Sequence, residues 1–399
     1  MYGVLFVSLY FEVFLLITFF EHLSAPKPAR SKRNLPTAAV IVPCFNEEKT
    51  VGATLNSLLN LRYPIEKLHI IAVDDGSTDN TLEVLKSFEH HLHITILTKE
   101  NGGKHTALNT ACEYTDADII GCLDADSYVD QDALLYIASH FKDPAVSAVT
   151  PGIKVDNAKS IIQLMQKAEY GLAIFVRNVF ALMDAQFVTP GPFSFFRREV
   201  ILSVGKWNYG HSTEDLEMCL RLQKEHHKIT NESRALVTTT APKTFRALYK
   251  QRVRWTYGFL RNALDYSHLF FNPKYGALGL LVLPLSLISI FGATFLFGSL
   301  IWNTFVRITE EIIKFQTVGI STPTVQFDIF YVQTSTLFTI VLALIILTLV
   351  IIGIGKKLSN EKIFSFDIPV YLTLYGFLTP IWLTVSIYKA AANSGVRWR

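Results

Sequence analysis

Long apolar runs near both ends of the chain enclose a stretch in which apolar and polar residues alternate over shorter distances. The long runs cover residues 1–20, 276–302, 330–354 and 368–391, and each is about the length of a helix that crosses a bilayer. The pattern therefore predicts an integral membrane protein with a soluble domain inserted between spans. We divide the chain into an N-terminal transmembrane helix (1–24), a basic linker (25–37), a soluble domain (38–243), amphipathic interfacial helices (244–275) and a C-terminal region of about three spans (276–399).

The soluble domain begins with short apolar runs that alternate with helical periods. The apolar runs at 38–43, 68–73, 94–97 and 119–123 have the length of buried strands. The first helix-like segment carries Val51, Leu55 and Leu58 on one face, with Asn46 as its predicted N-cap. Strands that alternate with helices of this length indicate βαβ units, so we predict an α/β fold with a largely parallel sheet.

Polar clusters follow these strands at their carboxyl ends, where an open α/β sheet binds its ligands. Asp124 and Asp126 could hold a hard divalent ion and leave ligand positions for phosphate oxygens. Asp74 or Asp75 could accept a hydrogen bond from a base or a ribose hydroxyl, and Lys104, beside two glycines, could approach a phosphate. The alternative is that these segments are ordinary turns and helix caps. Their shared position at one edge of the sheet favours a nucleotide-diphosphate site.

Two later segments have both a structural and a functional interpretation. Residues 188–198 read as a turn and an aromatic strand, which could line a sugar groove or belong to the core. Thr213, Glu214 and Asp215 have the composition of a helix start. A carboxylate fixed there could also act as a general base on a sugar hydroxyl within hydrogen-bond reach.

A basic amphipathic stretch from 244 to about 271 precedes the second long apolar run and contains the sequence Q-R-V-R-W. One interpretation is a helix at the membrane surface whose arginines meet lipid headgroups. In the other, Arg252 and Arg254 hold a diphosphate leaving group while Trp255 offers a stacking face to a sugar. Both can hold together, because the helix must lie at the membrane boundary.

Composition and charge narrow the class of protein. Half of the residues are hydrophobic, 18% are charged and the mean hydropathy is +0.29, which is too apolar for an ordinary soluble enzyme. The net charge of +3, with no basic stripe interleaved with aromatics, argues against nucleic acid as a partner. The cysteines lack the spacing of a zinc site and are expected to be reduced structural thiols.

Basic residues that flank the apolar runs predict the orientation in the membrane, because they mark the cytoplasmic side. The cluster after the first run places the N-terminus outside and the soluble domain inside, and a pair after the third run agrees with a cytoplasmic loop. The first run has no basic segment before it and is expected to be a retained anchor. Basic residues near the C-terminus fit an outside location poorly. These groups are Lys27, Arg30, Lys32 and Arg33; Lys356 and Lys357; and Lys389, Arg397 and Arg399.

The ordered motifs V-D-D-G-S-T-D, N-G-G-K, D-A-D, T-E-D and Q-R-V-R-W resemble those of the processive family-two glycosyltransferases. These are the membrane synthases of cellulose, poly-N-acetylglucosamine, chitin and hyaluronan. The resemblance covers residues 38–255 and implies a GT-A fold in the soluble domain. It also implies an inverting transfer from a UDP-sugar to a growing polysaccharide, which leaves through a channel between the membrane helices. Inversion of an α-linked donor predicts a β-linked product.

The resemblance also implies roles for individual residues. Asp74 would contact the uracil with Asp75 adjacent, and Lys104 would help to hold the nucleotide. Asp126, aided by Asp124, would bind Mg²⁺ or Mn²⁺ at the diphosphate. The T-E-D motif would supply the base that deprotonates the acceptor, and the Q-R-V-R-W motif would close over the diphosphate and the acceptor sugar. The residues of these two motifs are Glu214 and Asp215, with Asp215 as the base, and Gln251, Arg252, Arg254 and Trp255.

Two departures leave the sugar open. Q-R-V-R-W is nearer to the cellulose and poly-N-acetylglucosamine synthases, whereas the small number of spans is typical of the compact chitin-oligosaccharide type. We expect UDP-N-acetylglucosamine as donor, a cytoplasmic catalytic domain in a multi-pass protein of the cell membrane, and export that could require an accessory subunit or a homo-oligomer. The alternatives are another donor, a non-processive transfer of one sugar to a lipid, and a polysaccharide-binding scaffold with a degenerate site.

Overall fold

The computed structural model describes residues 2–24, 28, 34–318 and 335–395. The basic residues predicted to follow the first span, Lys27, Arg30, Lys32 and Arg33, lie outside the described residues, as do Arg397 and Arg399. The limits predicted for the linker, the soluble domain and the interfacial segment stay predictions.

A mixed sheet forms the centre of the soluble domain, with the strand order β3-β2-β1-β4-β7-β6-β8-β5. Strands β1 to β4 run parallel to one another, and β6 is parallel to β8. Strand β7 is antiparallel to both β4 and β6, and β5 is antiparallel to β8. The predicted mixed, mostly parallel sheet is therefore confirmed. The strands are β1 Ala38–Cys44, β2 Leu68–Asp74, β3 Ile94–Thr98, β4 Ile119–Cys122, β5 Ser127–Val129, β6 Val146–Val155, β7 Phe195–Arg197 and β8 Lys228–Thr239.

Helices cover both faces of this sheet. Val40 and Val42 belong to a core shared with α2 and α5, whereas Ala39 and Ile41 belong to a second core shared with α4, α7 and α8. Successive strand residues point to opposite faces, so a continuous apolar strand is what a doubly covered sheet requires. The helices of the soluble part are α2 Val51–Leu59, α3 Thr81–Lys86, α4 Lys104–Cys112, α5 Ala133–His140, α6 Ile161–Leu182, α7 Arg198–Ser203, α8 Glu214–Lys224 and α9 Phe245–Asp265.

The predicted cap of the first of these helices is wrong. Helix α2 begins after Thr50, whereas Asn46 adopts a φ of 56°, outside the extended backbone typical of an N-cap. The Asn46 side chain instead accepts a hydrogen bond of 2.8 Å from the backbone N–H of Thr78. It therefore ties the loop after β1 to the loop after β2.

Four helices among the described residues are long and apolar enough to cross a membrane. The second apolar segment, Leu278–Thr317, is longer than the predicted run that ends at residue 302. It starts with a π-helical turn and continues as one helix, because the charged residues that follow 302, such as Glu311 and Lys314, are good helix formers. The helices are α1 Tyr2–Glu21, α10 Leu283–Val318, α11 Thr336–Leu358 and α12 Asp367–Ala391.

Helices α6 and α9 connect the soluble domain to these membrane helices. Helix α6 packs against α11 and α12, and α9 packs against α12. Gly171 of α6 lies so close to α11 that an added Cβ would be 2.9 Å from Cγ of Lys356. Lys356 is fully buried there and pairs with Asp367 at 2.5 Å. The basic pair predicted to follow the third apolar run thus lies in the last turn of α11, and its first member neutralises a carboxylate at the start of α12.

Candidate active site

A cavity of about 410 Å³ opens at the carboxyl ends of the parallel strands, between the sheet and helices α6 and α9. Nearly all of the side chains predicted to form the site line this one cavity, although they come from separate loops. They are Asp75, Lys104, Asp124, Asp126, Glu214, Asp215, Gln251, Arg252, Arg254 and Trp255.

Asp74 is the predicted site residue that does not contribute to this lining. It ends β2, is 3% exposed, and accepts a hydrogen bond of 3.3 Å from the backbone N–H of Ser77. Its neighbour Asp75 reaches the cavity and holds the N-G-G-K loop. The Asp75 carboxylate accepts bonds from Lys99 at 2.7 Å and from the backbone N–H groups of Gly102 and Gly103 at 3.1 and 2.8 Å.

Lys104 lies between two of the predicted catalytic motifs. It begins α4, and its Nζ is 2.6 Å from Oδ1 of Asp124 and 3.2 Å from Oε1 of Glu214. Burial alone would lower the pKa of Lys104, but the surrounding carboxylates, Asp124 foremost, raise it well above its ordinary value. Gly191 permits this arrangement, because a Cβ at that position would lie 2.5 Å from Nζ of Lys104. Lys104 is thus a fixed cation between D-A-D and T-E-D.

Asp124 and Asp126 follow β4 with Ala125 between them, and both reach the cavity. Burial, followed by the nearby charges of Asp124 and Glu47, raises the pKa of Asp126 to about 7. A cation placed between these carboxylates would relieve that repulsion. Among the described residues no cluster of three His, Cys, Asp or Glu side chains could hold a metal. Two carboxylates at this spacing could hold a hard divalent ion and leave ligand positions for phosphate oxygens.

Asp215 lies in the first turn of α8, next to Glu214. Its Oδ1 accepts a hydrogen bond of 2.9 Å from the backbone N–H of Leu216. Burial, and then the charge of Glu214, raise the pKa of Asp215 to about 6, although Lys104 opposes the shift. A carboxylate with such a pKa is ionised near neutral pH and remains basic enough to accept a proton.

The turn before Asp215 is strained and is held by α9. His211 and Ser212 have φ values of 52° and 66°, a region that costs energy for residues other than glycine. Asn262 of α9 is fully buried and donates from Nδ2 to the carbonyl of Gly210 at 2.9 Å and to Oγ1 of Thr213 at 3.1 Å. A Cβ added to Gly258 of α9 would collide with the Thr213 side chain.

The Q-R-V-R-W motif lies in the first half of α9. Arg252 forms a two-point ion pair with Glu169 of α6, with both N···O distances 2.8 Å, and its guanidinium lies 4.5 Å from the Trp255 ring. Arg254 donates a bond of 3.4 Å to the carbonyl of Ser212, and Oε1 of Gln251 is buried without a partner among the described residues. The Arg252 guanidinium is therefore already paired with a protein carboxylate, that of Glu169.

The sequence interpretation missed the contribution of α6, which adds Glu169, Tyr170 and Arg177 to the cavity wall. A signal was present, because Ser160 and Gln163 form a capping box at the start of this helix. Each of the two interpretations of residues 188–198 holds for a different part of the segment. Phe193 and Phe195 are fully buried in the core, whereas Val188, Pro190, Gly191 and Pro192 line the cavity.

Comparison with known proteins identifies the family. Residues 36–258, which include every predicted site residue, match the family described as "Glycosyltransferase like family 2". The chain belongs to this family. The family-two resemblance and the GT-A-like fold predicted from the motifs are thereby confirmed.

Two curated family-two relatives carry the name poly-beta-1,6-N-acetyl-D-glucosamine synthase. The protein from Staphylococcus aureus (strain COL) is 36% identical over 235 residues, which are 58% of this chain and 57% of that protein. The protein from Staphylococcus epidermidis (strain ATCC 35984) is 35% identical over 221 residues, or 55% of this chain and 53% of the relative. The matches therefore span little more than half of the length of these relatives.

A solved structure shares the fold over nearly the whole chain. The mannosyltransferase PcManGT from Pyrobaculum calidifontis, in complex with GDP-Man and Mn²⁺, aligns with a TM-score of 0.64 over 98% of this chain and 97% of that one. The two sequences are 17% identical. This likeness shows that the GT-A-like sheet and the flanking apolar helices form one known architecture.

Proposed function

We propose that this family-two protein is an inverting, processive glycosyltransferase that extends a β-linked polysaccharide with N-acetylglucosamine from UDP-N-acetylglucosamine. The observation that carries the proposal is the single cavity in which D-A-D, T-E-D, Lys104 and Q-R-V-R-W converge. The curated names of the staphylococcal relatives support N-acetylglucosamine as the sugar. The four apolar helices among the described residues support synthesis at a membrane. The proposal places the catalytic domain on the cytoplasmic side, with the product exported through the membrane region.

In the proposed mechanism Asp215 acts as the general base. It accepts the proton of the acceptor hydroxyl as that oxygen attacks C1 of the donor sugar, and the bond from C1 to the diphosphate breaks as UDP leaves. Because base and leaving group lie on opposite faces of the sugar, the configuration inverts without a covalent enzyme intermediate. Lys104 keeps Glu214 and Asp124 in place at 3.2 and 2.6 Å, which leaves Asp215 as the T-E-D carboxylate without a lysine contact of that length.

Asp124 and Asp126 would hold Mg²⁺ or Mn²⁺ together with oxygens of the donor diphosphate. The raised pKa of Asp126, which follows from its burial and from neighbouring carboxylates, fits a position prepared for a cation. When bound, the ion supplies electrostatic stabilisation of the negative charge that develops on the leaving diphosphate. Arg254, from the other side of the cavity, would add a guanidinium to the same task.

A second function is transfer of a single sugar to a lipid acceptor. The four apolar helices found among the described residues are few for a polysaccharide channel, and this observation favours a lipid acceptor that approaches from the bilayer. The Trp255 ring, stacked against Arg252 in the cavity wall, favours a sugar acceptor instead. A homo-oligomer or an accessory subunit would remove the conflict by completing the channel.

The test uses the purified full-length protein in detergent with Mg²⁺ or Mn²⁺. UDP-N-acetylglucosamine, UDP-glucose, UDP-glucuronic acid and UDP-galactose are offered separately, and UDP release and product length are measured. We expect release with UDP-N-acetylglucosamine together with a long polymer. Release confined to another donor would overturn the sugar assignment, and a single glycolipid band would overturn processivity in favour of the lipid acceptor.

A further inference from the structure

One wall of the cavity carries a cation to which the mechanism above gives no task. Tyr170, Ala173 and Arg177 of α6 line the cavity, and their spacing of about one helical turn places them on the same face. The opposite face of α6, at Gly171, lies against α11. Arg177 therefore lies on the cavity side of a helix whose other side packs against α11.

Arg177 lacks the partner that a buried guanidinium requires. Its Nε and Nη2 atoms are buried and have no hydrogen-bond partner among the residues that the structure describes. Burial lowers the pKa of Arg177 to about 10, with only the nearby Tyr170 acting in the opposite direction. Arg252, by contrast, pairs at two points with Glu169. Buried donors without partners cost free energy, so their presence in a cavity wall points to a ligand that satisfies them.

A second unsatisfied group in the same cavity restricts the chemistry of that ligand. Oε1 of Gln251 is buried without a partner in the described part of the chain, and Gln251 also lines the cavity. The arginine offers hydrogen-bond donors and this amide oxygen offers an acceptor. Phosphate oxygens would satisfy the arginine alone, whereas the hydroxyl and acetamido groups of a sugar both donate and accept. The pair therefore favours a neutral saccharide.

We propose that Arg177 and Gln251 form a subsite for the acceptor sugar, in which the Arg177 guanidinium donates to hydroxyl or acetamido oxygens and Gln251 accepts from a hydroxyl or N–H group. The proposal rests on the proposed function, since it assumes that a saccharide is extended. Trp255, in the same wall, supplies the apolar face against which a sugar ring can stack. Arg177 thereby helps to select a saccharide as acceptor.

The test measures acceptor and donor affinities separately on the full-length protein in detergent. Initial UDP release is followed at saturating UDP-N-acetylglucosamine as a β-1,6-linked N-acetylglucosamine oligosaccharide is titrated, and UDP binding is measured directly. For Arg177→Gln we expect the acceptor KM to rise about tenfold or more, with UDP affinity unchanged. Arg177→Lys should show a smaller rise, because lysine keeps the charge and loses the planar fork.

Two further variants keep the result interpretable. Arg62→Gln is the matched control, because Arg62 is an exposed arginine whose side chain is 58% accessible and which pairs with Asp132 on the surface. Gln251→Leu removes the other polar group of the subsite and should also raise the acceptor KM. If Arg177→Gln fails to fold, the acceptor KM of Gln251→Leu tests the subsite in its place. An unchanged acceptor KM in a variant that binds UDP normally would overturn the subsite.

A weakened UDP affinity with an unchanged acceptor KM would likewise overturn the proposal and assign Arg177 to the donor. Failure of the proposed function gives a different result, because the wild-type protein itself would then release no UDP from UDP-N-acetylglucosamine in the presence of the oligosaccharide.

Discussion

Asp215 differs from the other carboxylates of the cavity in what surrounds it. Asp124 and Glu214 are paired with Lys104 at 2.6 and 3.2 Å, and Asp75 is used by Lys99 and the N-G-G-K loop. The Asp215 side chain accepts a backbone N–H within its own helical turn. It therefore keeps an oxygen that can receive a proton from substrate, which is why we assign it as the base.

We expect Asp215→Asn to reduce glycosyl transfer by about 10²- to 10⁴-fold, the usual contribution of a general base. UDP binding should survive, because the amide keeps the shape of the side chain and the bond from the Leu216 N–H. The measurement is single-turnover transfer beside direct UDP binding. Asp126→Ala provides the contrast, since it should weaken metal-dependent UDP binding itself. Loss of folded protein in Asp215→Asn would mean that the carboxylate mainly caps α8.

The pKa of Asp215, raised to about 6, predicts the acidic limb of the rate profile. The base acts in its ionised form, so kcat at saturating metal and donor should fall as pH decreases through about 6, approaching tenfold per pH unit below it. Its ordinary pKa of 3.8 would keep the rate constant over the same range. A profile that is flat from about pH 7 to 5 would exclude Asp215 as the group that limits the rate.

Helix α9 does more than carry Q-R-V-R-W, because it also fixes the strained turn that precedes the base. Asn262 bonds to Gly210 and Thr213, and Gly258 allows α9 to approach the Thr213 side chain. A shift of α9 would therefore move T-E-D and the arginines together.

Gly258→Ala tests whether α9 positions the turn before Asp215, beyond the general effect of replacing a glycine in a helix. The added methyl group would collide with Thr213 and displace the turn before Asp215, so we expect kcat to fall at least about tenfold, since small misplacements of reacting groups are costly. UDP affinity should change little. Gly298→Ala is the matched control, because this helical glycine has no atom within 4 Å of an added Cβ. Equal effects of the two substitutions would contradict the positioning role.

The contact between α6 and α9 depends on one buried ion pair. The Arg252 and Glu169 side chains are 10% and 13% exposed. Glu169→Gln should lower the free energy of unfolding by about 3–5 kcal/mol, because it leaves the arginine charge buried without its carboxylate. Denaturant unfolding in detergent measures this. Asp116→Asn, which removes the charge of a carboxylate that is 97% exposed and pairs with Arg198, should cost at most about 1 kcal/mol. A similar loss in both variants would contradict the importance of the buried pair.

The molecule as a whole joins the domain built on the sheet to the long apolar helices through α6 and α9, which pack against α11 and α12. The C-terminal half of α11 packs against α6 at Gly355 and Gly171, so this end of α11 lies on the same side as the catalytic domain. In the proposed orientation the other end of α11, at Thr336, faces the outer side.

Cysteine labelling in intact cells tests this orientation. All four native cysteines are buried and unpaired, as expected for reduced structural thiols, and should react slowly. A membrane-impermeant maleimide should label Thr317→Cys, an exposed position in the last turn of α10, without permeabilisation. Leu92→Cys, at a position 96% exposed on the catalytic domain, should be labelled only after permeabilisation. The reverse pattern would place the catalytic domain outside the cell.

The sequence by itself determined the elements whose signals are local. Continuous apolar strands followed by polar loops established the α/β sheet and the edge at which D-D-G, N-G-G-K and D-A-D meet, because parallel strands bring their carboxyl ends together. Four apolar runs established the membrane helices, since their length and composition suffice for recognition. The roles proposed for individual site residues remain predictions.

Only the tertiary structure decided which side chains are free for substrate and which are committed to the protein. Asp75 is used by a neighbouring loop, Arg252 by Glu169, and Asn46 by Thr78. These pairings join residues more than twenty positions apart along the chain. No local periodicity encodes them, because they arise where separate loops and helices pack. The same holds for Arg177, whose missing partner is apparent only once α6 forms the wall of the cavity.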